Sequence, residues 1–255
     1  VAAFAYGLYE ARAVRIRDVV IRTDRLPAGT DRLRLVLLSD LHLNPTTGTA
    51  TIQRIVDMVN ARRPDFVFLA GDVVDGLFSP EGEMAKTLGG IGAAHGKFAV
   101  SGNHDVYSGL GQFAAFMEGA GFKVLRGKSV DRAGIRVAGV DDPRFYERKG
   151  LADTLRGADT EAFMVLLSHT PEMPEEAKGR FDLELSGHTH GGQIWPLGIA
   201  VRFMYGFGQG LTTVPAPPGR PRPESMLYIT NGTRSWGPPV RFLTPPEITV
   251  IDLVR

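Results

Sequence analysis

The sequence contains no cysteine, which excludes both a disulfide framework and a thiolate metal site. It also lacks an excess of charge of either sign. The 29 Lys and Arg residues nearly balance the 28 Asp and Glu residues, which gives a net charge of +1. Because the basic residues are scattered along the chain, nothing in the composition favours nucleic acid as a partner. No apolar run at the N-terminus approaches the roughly 20 residues that a transmembrane helix needs.

What is present is an ordinary globular composition. The chain has 255 residues, of which 43% are hydrophobic and 22% are charged. This length suffices for one large domain or two small ones, with a core that needs no structural metal. The composition therefore predicts an ordinary folded globular protein, and the function must be inferred from the motifs.

The N-terminal segment, residues 1–13, is the least ordinary part. Residues 1–9 are apolar and include two tyrosines, and Arg12, Arg15 and Arg17 follow them. One interpretation is an amphipathic lead-in to the first strand. The other is the end of a removed membrane or signal segment, with interfacial tyrosines and a basic flank. We therefore separate residues 1–13 from a single domain at 14–255, and expect membrane association through an upstream segment.

Strand and helix patterns alternate through the first half. Apolar runs predict buried strands at 33–38, 66–70 and 98–100, and an edge strand at 14–21. Helical periodicity predicts crossover helices, at 51–62, 81–91 and 110–119. This βαβ order implies parallel strands.

The second half has short strand patterns, at 123–140, 163–167, 183–185, 228–230 and 248–253. Residues 213–223, rich in Pro, Gly and Arg, are predicted to form a surface loop. Two sheets stacked face to face, with helices outside, accommodate all of these elements. The predicted fold is an α/β four-layer αββα sandwich of two mixed sheets, with ligands at the carboxyl ends of the strands.

Five of the six histidines lie in short motifs directly after these strands. The motifs are Asp40-Leu41-His42, Gly71-Asp72, Gly102-Asn103-His104-Asp105, Ser168-His169 and Gly187-His188-Thr189-His190. They hold seven ligand-type residues, Asp40, His42, Asp72, Asn103, His169, His188 and His190. Mixed oxygen and nitrogen ligands suit Mn, Fe, Zn or Ni better than Ca or Mg. The motifs predict two divalent transition-metal ions at one edge of the sheets.

Other polar residues are expected outside the site. His95 is predicted to lie in a surface turn, and Asp75, Asp141 and Asp142 in turns or helix caps, where Asp is favoured.

In this order, the five motifs resemble those of calcineurin-like metallophosphoesterases, and the resemblance covers residues 33–255. Within that family the chain is most similar to bacterial membrane-associated members. Two further segments resemble sequences of that group: Gly139-Val140-Asp141-Asp142 and Pro245-Pro246-Glu247-Ile248-Thr249. Some of those relatives hydrolyse UDP-2,3-diacylglucosamine, and others act on artificial phosphodiesters.

The resemblance implies a role for each motif residue. Asp40, His42 and His190 would hold one metal, and Asn103, His169 and His188 the other, with Asp72 as the bridge. His104 is expected to face the substrate as a catalytic group. Asp105 is expected to orient His104, directly or through the backbone.

The resemblance further implies a phosphodiesterase or pyrophosphohydrolase that uses a metal-activated hydroxide, with a lipid-linked phosphoester as one candidate substrate. A phosphomonoesterase or protein phosphatase is an alternative, and so is a non-catalytic metal-binding interaction module. Three side chains are candidates for substrate contact at the rim: Trp195, Phe207 and Arg241. Arg241 is chosen because a guanidinium suits phosphate, and Trp236 is a further rim candidate.

Overall fold

The computed structural model describes residues 1–142, 149–155 and 161–255. Its helices are α1 (Ala2–Glu10), α2 (Thr49–Asn60), α3 (Glu83–Gly89), α4 (Asn103–Ser108), α5 (Leu110–Gly119), α6 (Lys149–Thr154) and α7 (Leu197–Tyr205). Its strands are β1 (Arg15–Arg22), β2 (Arg32–Leu38), β3 (Phe66–Ala70), β4 (Gly96–Val100), β5 (Lys123–Val124), β6 (Lys128–Arg132), β7 (Ile135–Gly139), β8 (Met164–Leu167), β9 (Leu183–Ser186), β10 (Gly210–Pro215), β11 (Glu224–Ile229) and β12 (Glu247–Val254).

The first sheet has six strands in the order β1-β12-β2-β3-β4-β5. The strands β2 to β5 are parallel to one another, whereas β12 runs antiparallel to β2. The strand β1 lies at the edge beside β12, as its pattern predicted. The carboxyl ends of β2, β3 and β4 therefore meet at one edge of this sheet.

The second sheet also has six strands, in the order β10-β11-β9-β8-β7-β6. Its centre, β11-β9-β8-β7, is parallel, and its two outer strands pair antiparallel. Both sheets are thus mixed, which confirms the prediction.

The two sheets pack face to face through one apolar cluster. Side chains such as Leu35 and Phe68 from the first sheet meet Val137, Val165 and Leu185 from the second, all of them buried. The outer face of the first sheet is covered by α2, α3 and α5. The outer face of the second carries a smaller cluster around Leu155, Phe181 and Leu166. The predicted sandwich of two mixed sheets flanked by helices is confirmed.

The helix α2 illustrates why these elements form. Its buried residues are Ile52, Ile55, Val56 and Val59, which recur at the spacing of one helix face. The helix ends at Asn60 and the chain turns at Arg63, which has a positive φ of 49°, before Pro64. The predicted helix at 51–62 was therefore placed two residues too far along at each end.

The predicted surface loop at 213–223 is shorter than expected. Thr213–Pro215 lies in β10, paired antiparallel with β11, so only 216–223 connects the two strands.

The N-terminal segment forms the helix α1. This helix packs on the chain near Arg241, where the Gly7 carbonyl accepts from the Arg241 amide at 3.0 Å. Among the described residues, the helices are all too short or too polar to cross a membrane.

Candidate metal centre

Five strand ends deliver the predicted ligands to one place. Asp40 and His42 follow β2, Asp72 follows β3, and Asn103 opens α4 after β4. The second sheet supplies His169 after β8, and His188 and His190 after β9. The backbone ties neighbouring loops together, because the Asp40 amide donates to the Gly71 carbonyl and the His42 amide to the Asp72 carbonyl, both at 3.0 Å.

The ligand loops hold an unusual backbone conformation. Nine of the described non-glycine residues have positive φ, and five of them are predicted ligands: Asp40, His42, Asp72, His188 and His190. Left-handed φ costs a residue with a side chain about 1–3 kcal/mol. Such strain persists where surrounding contacts over-determine the conformation, and it concentrates at functional sites.

Two glycines are required because the loops approach each other closely. A Cβ on Gly102 would lie 2.5 Å from the Asp72 amide nitrogen and 2.8 Å from the His169 ring. A Cβ on Gly187 would collide with the Ser39 hydroxyl and the Asp40 carboxylate. The glycines of these motifs therefore leave room for the carboxylates of the neighbouring loops.

The first ligand group consists of Asp40, His42 and His190, whose ligand atoms all lie within 4.8 Å of one another. The Nε2 of His190 is 3.2 Å from Asp40 Oδ1 and 3.1 Å from His42 Nε2. All three side chains are buried. Burial alone would raise the pKa of Asp40, but His190, His169 and His42 outweigh it and hold that pKa well below its usual value.

The second group consists of Asp72, His169 and His188, again with ligand atoms within 4.8 Å. His169 donates from Nδ1 to the Ala70 carbonyl at 2.7 Å, which directs its Nε2 at Asp72 Oδ2, 3.1 Å away. Asn103 is buried and directly follows Gly102, whose backbone lies against Asp72 and His169. Asp72 also lies 3.8 Å from His42 Nε2, so its carboxylate reaches both groups.

Three observations show that these residues fit cation binding. The buried Nε2 of His169 lies 3.1 Å from Asp72 Oδ2 but makes no well-aligned hydrogen bond in the described structure, although its Nδ1 is engaged. The Nε2 atoms of His42 and His190 face each other at 3.1 Å, an arrangement that a shared cation explains. Burial opposes charge on His169, yet Asp72 and Asp40 raise its pKa to about 10, which reports a strongly negative field. A cation would neutralise that field.

His104 lies beside the ligands without belonging to their two groups. Its Nδ1 is 2.8 Å from Asp75 Oδ1, and the same carboxylate oxygen is 3.0 Å from Nδ1 of His42. Its backbone amide donates to Asp72 Oδ1 at 2.9 Å. Burial disfavours a charged His104 ring, but the Asp75 hydrogen bond and the charge of Asp72 raise its pKa above the ordinary value.

Asp75 is the functional residue that sequence reasoning assigned to a turn. It joins His42 and His104, and forms with them a third cluster of ligand-type atoms within 4.8 Å. Burial pushes the pKa of Asp75 up, but its hydrogen bonds with His104 and His42 lower it. The available signal was its position three residues after Asp72, at the end of the same loop.

A profile of the calcineurin-like phosphoesterase family matches residues 33–192, which include every predicted ligand.

The chain belongs to the calcineurin-like phosphoesterase family.

It is accordingly a hydrolase of a metal-dependent family. An uncharacterized metallophosphoesterase of Aquifex aeolicus is 33% identical over 98% of this chain and 95% of its own length. A transmembrane protein with metallophosphoesterase domain from Danio rerio is 36% identical over 97% of this chain, which spans 59% of that protein. An uncharacterized metallophosphoesterase of Helicobacter pylori is 30% identical over 98% of this chain and 67% of its own length.

Solved structures share the phosphoesterase fold. The NAD nucleotidase of Haemophilus influenzae has a TM-score of 0.53 and 14% identity, covering 79% of this chain and 45% of that one. A 5'-nucleotidase precursor from Thermus thermophilus has a TM-score of 0.51 and 18% identity, covering 88% of this chain and 54% of that one. At these identities the likeness concerns the fold.

Asp105 of the phosphoesterase contacts backbone rather than the His104 ring. Its Oδ1 accepts from the amides of Val73 and Val74 at 3.0 and 2.9 Å, and its Oδ2 from the Gly102 amide at 2.8 Å. Burial and the charge of Asp72 raise its pKa to about 7. The expected role of Asp105 in orienting His104 stays a prediction, since its printed hydrogen bonds are to the amides of Val73, Val74 and Gly102.

Arg241 lies inside the protein, which corrects its expected position at the rim. It is 0% exposed, and its guanidinium donates to the carbonyls of His190, Thr244 and Asn231 at 2.8–3.2 Å. Its Nη2 is also 3.1 Å from His190 Nδ1. Arg241 therefore supports the loop behind a predicted ligand and has no surface to offer a substrate.

The other rim candidates lie at different distances from the metal centre. Trp236 is half exposed, with its ring 6.2 Å from the ring of His104. Trp195 is exposed before α7, and Phe207 is partly buried after it. Tyr205, at the end of α7, places its ring 5.7 Å from that of His188. The mouth of the site is thus flanked by Trp236 on one side and by the end of α7 on the other.

Proposed function

We propose that the protein hydrolyses a phosphodiester or pyrophosphate with two divalent transition-metal ions. In this proposal residues 14–255 form the catalytic unit. The single observation that carries it is the convergence of two three-residue ligand groups, linked by Asp72, beside a histidine that neither group uses. A site of this composition matches hydrolysis of a charged phosphoester better than passive metal storage, because His104 is hydrogen-bonded to Asp75 and its ring lies 4.8 Å from that of His42.

The ligands divide between the two cations as the family resemblance implies. Asp40, His42 and His190 would hold one cation, and Asn103, His169 and His188 the other, with Asp72 shared. When bound, such a pair lowers the pKa of water towards neutrality and neutralises charge on phosphoryl oxygens. Mn, Fe, Zn and Ni all suit this donor set.

The chain's own contribution to the reaction centres on His104. The Asp75 carboxylate accepts from Nδ1 at 2.8 Å, so the other ring nitrogen, Nε2, is available to the substrate. Burial disfavours the charged ring, but the Asp75 hydrogen bond and the charge of Asp72 raise the pKa of His104 and so favour its protonated form. His104 then donates a proton to the leaving oxygen, while Asp75 holds the ring in orientation. Asp105 accepts hydrogen bonds from the amides of Val73 and Gly102 and so stabilises the loops that carry Asp75 and His104.

The substrate in this proposal is lipid-linked, and the protein works at a membrane surface. Three observations support this part. The exposed apolar helix α7 ends at Tyr205, whose ring lies 5.7 Å from that of His188. Residues 1–9 are apolar, and a relative from Danio rerio is named as a transmembrane protein. Nucleic acid is not an expected partner, because the net charge is only +1.

Replacement of His104 tests the catalytic proposal. His104→Ala should retain both metal ions and lower kcat on a diester by about 10²–10⁴, the range for loss of a general acid. The loss should be smaller for a nitrophenolate, which leaves without a proton. The matched control is His95→Ala, since His95 lies outside the three ligand clusters, and it should leave kcat unchanged. Loss of metal from His104→Ala, or an unchanged rate on an alkoxide leaving group, contradicts the assigned role.

The two alternatives have separate tests. If kcat/KM for an aryl phosphomonoester exceeds that for the matching diester, the protein is a phosphomonoesterase or protein phosphatase. If the metal-loaded protein hydrolyses neither substrate above the metal-free control, the interaction-module alternative holds.

A further inference from the structure

The helix α7 presents apolar side chains to solvent. Seven of its nine residues are apolar, and none is buried. Phe203 is 85% exposed and Met204 75% exposed, with Leu197 and Ile199 each at 55%. A soluble protein scatters exposed apolar residues singly, whereas a continuous patch marks an interaction surface.

The patch extends beyond the helix. Trp195, Ile199 and Phe203 line a groove of about 880 Å³ together with Leu243, which is itself 58% exposed. Phe242, the residue before Leu243, contacts both the segment that precedes α7 and the helix α1. The Trp195 amide donates to the Phe242 carbonyl at 2.9 Å, and the Phe242 ring packs edge-on against Tyr6 at 5.7 Å. We call Trp195, Ile199, Phe203, Met204 and Leu243 the apolar face.

The segments that carry the apolar face hold basic residues and no acidic ones, and Glu10, whose carboxylate accepts from the Thr244 amide beside Leu243, is buried. No Asp or Glu occurs between residues 187 and 223, or between 232 and 246. Arg202 lines the groove of the apolar face. A neighbouring cavity of about 380 Å³ is lined by Arg12, Arg54 and Arg234, without a carboxylate among its lining residues. The segment from Arg234 to Leu243 runs from this cavity to the apolar face.

The apolar face also lies next to the predicted metal centre. It begins directly after the turn that holds His190, and α7 ends at Tyr205, whose ring contacts that of His188. A planar partner seated on α7 would therefore lie beside the mouth of the site.

We propose that the apolar face docks into a lipid bilayer that carries anionic headgroups. Exposed aromatic and aliphatic side chains, with an edge of arginines and no acids, are the composition of an interfacial membrane-binding element. A protein partner would equally accept the apolar residues but would not require charge of a single sign. This proposal deepens the lipid part of the proposed function, and it concerns binding, so it is measured without turnover.

Vesicle sedimentation of the whole chain tests the proposal. The probes are phosphatidylcholine vesicles, with and without about one-third phosphatidylglycerol, at low salt. The chain should partition to the anionic vesicles, and about 0.5 M salt should weaken that binding by screening. Phe203→Ser with Met204→Ser should lower the partition coefficient at least tenfold, since each side chain loses apolar burial.

The control is Val20→Ser, which removes a 59% exposed apolar side chain from the edge strand β1. It should bind like the unaltered chain. Arg202→Gln should reduce the preference for anionic vesicles and leave the weak binding to neutral vesicles intact. Each variant should keep its Tm and its rate on a water-soluble diester, which separates failure of docking from failure of the proposed function.

Three results would overturn the proposal. The first is absence of vesicle binding by the unaltered chain. The second is equal binding by the Phe203/Met204 double variant and by Val20→Ser, which would transfer the role to another part of the surface. The third is a concentration-dependent dimer that the double variant abolishes while vesicles have no effect, which would make a second copy of the chain the occupant.

Discussion

The loops that carry the predicted ligands and the helix α7 differ in most physical respects, although α7 begins only a few residues after His190. In the loops, Asp40, His42 and His190 are buried, and their backbones adopt left-handed φ. In α7 no residue is buried and the backbone is regular. The loops therefore determine the positions of atoms precisely, whereas α7 only presents a surface.

The two regions also differ in how the rest of the protein holds them, which distinguishes a proposed catalytic element from a proposed docking element. The loops are held by hydrogen bonds across large sequence separations, such as His169 to the Ala70 carbonyl and Arg241 to the His190 carbonyl. The helix α7 packs against the turn His190–Gly192 at its start, and at its end the Tyr205 ring lies 5.7 Å from that of His188. Substitutions in the loops should thus alter metal binding and stability, and those in α7 should alter neither.

Asp72→Ala should have the largest effect in this comparison. The carboxylate lies 3.1 Å from His169 Nε2 and 3.8 Å from His42 Nε2, so its loss affects both ligand groups. After reconstitution with Mn, elemental analysis should find about two ions per unaltered chain and close to none in Asp72→Ala.

Two controls sharpen the Asp72 result. His190→Ala should cost mainly one ion, and Phe203→Ser, in α7, should cost none. If Asp72→Ala retains both ions while His190→Ala loses them, Asp72 is not the shared ligand.

Gly187→Ala should have the next largest effect. Its new Cβ would lie 2.8 Å from Ser39 Cβ and would press against the Asp40 carboxylate. We expect a loss of about 3 kcal/mol in the free energy of unfolding, the upper range for overpacking, together with weaker metal binding. Thermal and urea denaturation measure the first quantity, and elemental analysis the second.

The matched control for Gly187→Ala is Gly111→Ala in α5, where a Cβ would have nothing within 4 Å. Alanine should stabilise that helix by about 0.5–1 kcal/mol. Equal effects of the two substitutions would mean that the close approach of the loops has no energetic consequence.

Glu184→Gln should have the smallest effect, visible in its pH dependence. Burial raises the pKa of Glu184 from 4.5 to about 8. Between these values the folded chain keeps a proton that the unfolded chain has released, so the free energy of unfolding falls as pH rises. The glutamine side chain of the variant cannot titrate, so the free energy of unfolding of the variant should rise relative to that of the unaltered chain between pH 5 and pH 8 and level off above pH 8.

Urea denaturation at several pH values measures the Glu184 effect. Phe203→Ser is the control, and its stability should run parallel to that of the unaltered chain at every pH. Parallel curves for Glu184→Gln as well would show that Glu184 is ionised in the fold despite its burial.

Much of the fold could be predicted because its patterns are local. The strand β3 and the helix α5 have the predicted bounds, Phe66–Ala70 and Leu110–Gly119, since apolar runs and helical spacing register burial within a few residues. Thr213–Pro215 was misjudged because proline is compatible with an edge strand, and β10 lies at the edge of its sheet.

The candidate site likewise has features that the sequence predicts and features that it does not. Ligand types after strand ends are readable in the sequence, and the structure brings Asp40, His42 and His190 together on that basis. Asp75 was assigned to a turn because its partners, His42 and His104, lie about thirty residues away on either side in the chain. Spacing along a chain does not report contacts between loops from different strands.

The sequence by itself determined the alternation of strands and helices, the two-sheet class and the ligand motifs, because each depends on residue type and short spacing. Only the tertiary structure decided which side chains face one another. It buried Arg241, because carbonyls from residues 190, 231 and 244 converge to accept its donors. It left α7 exposed, because no element of the described chain covers its apolar residues. Burial of a charge and exposure of an apolar helix both depend on long-range contacts, which residue type alone does not specify.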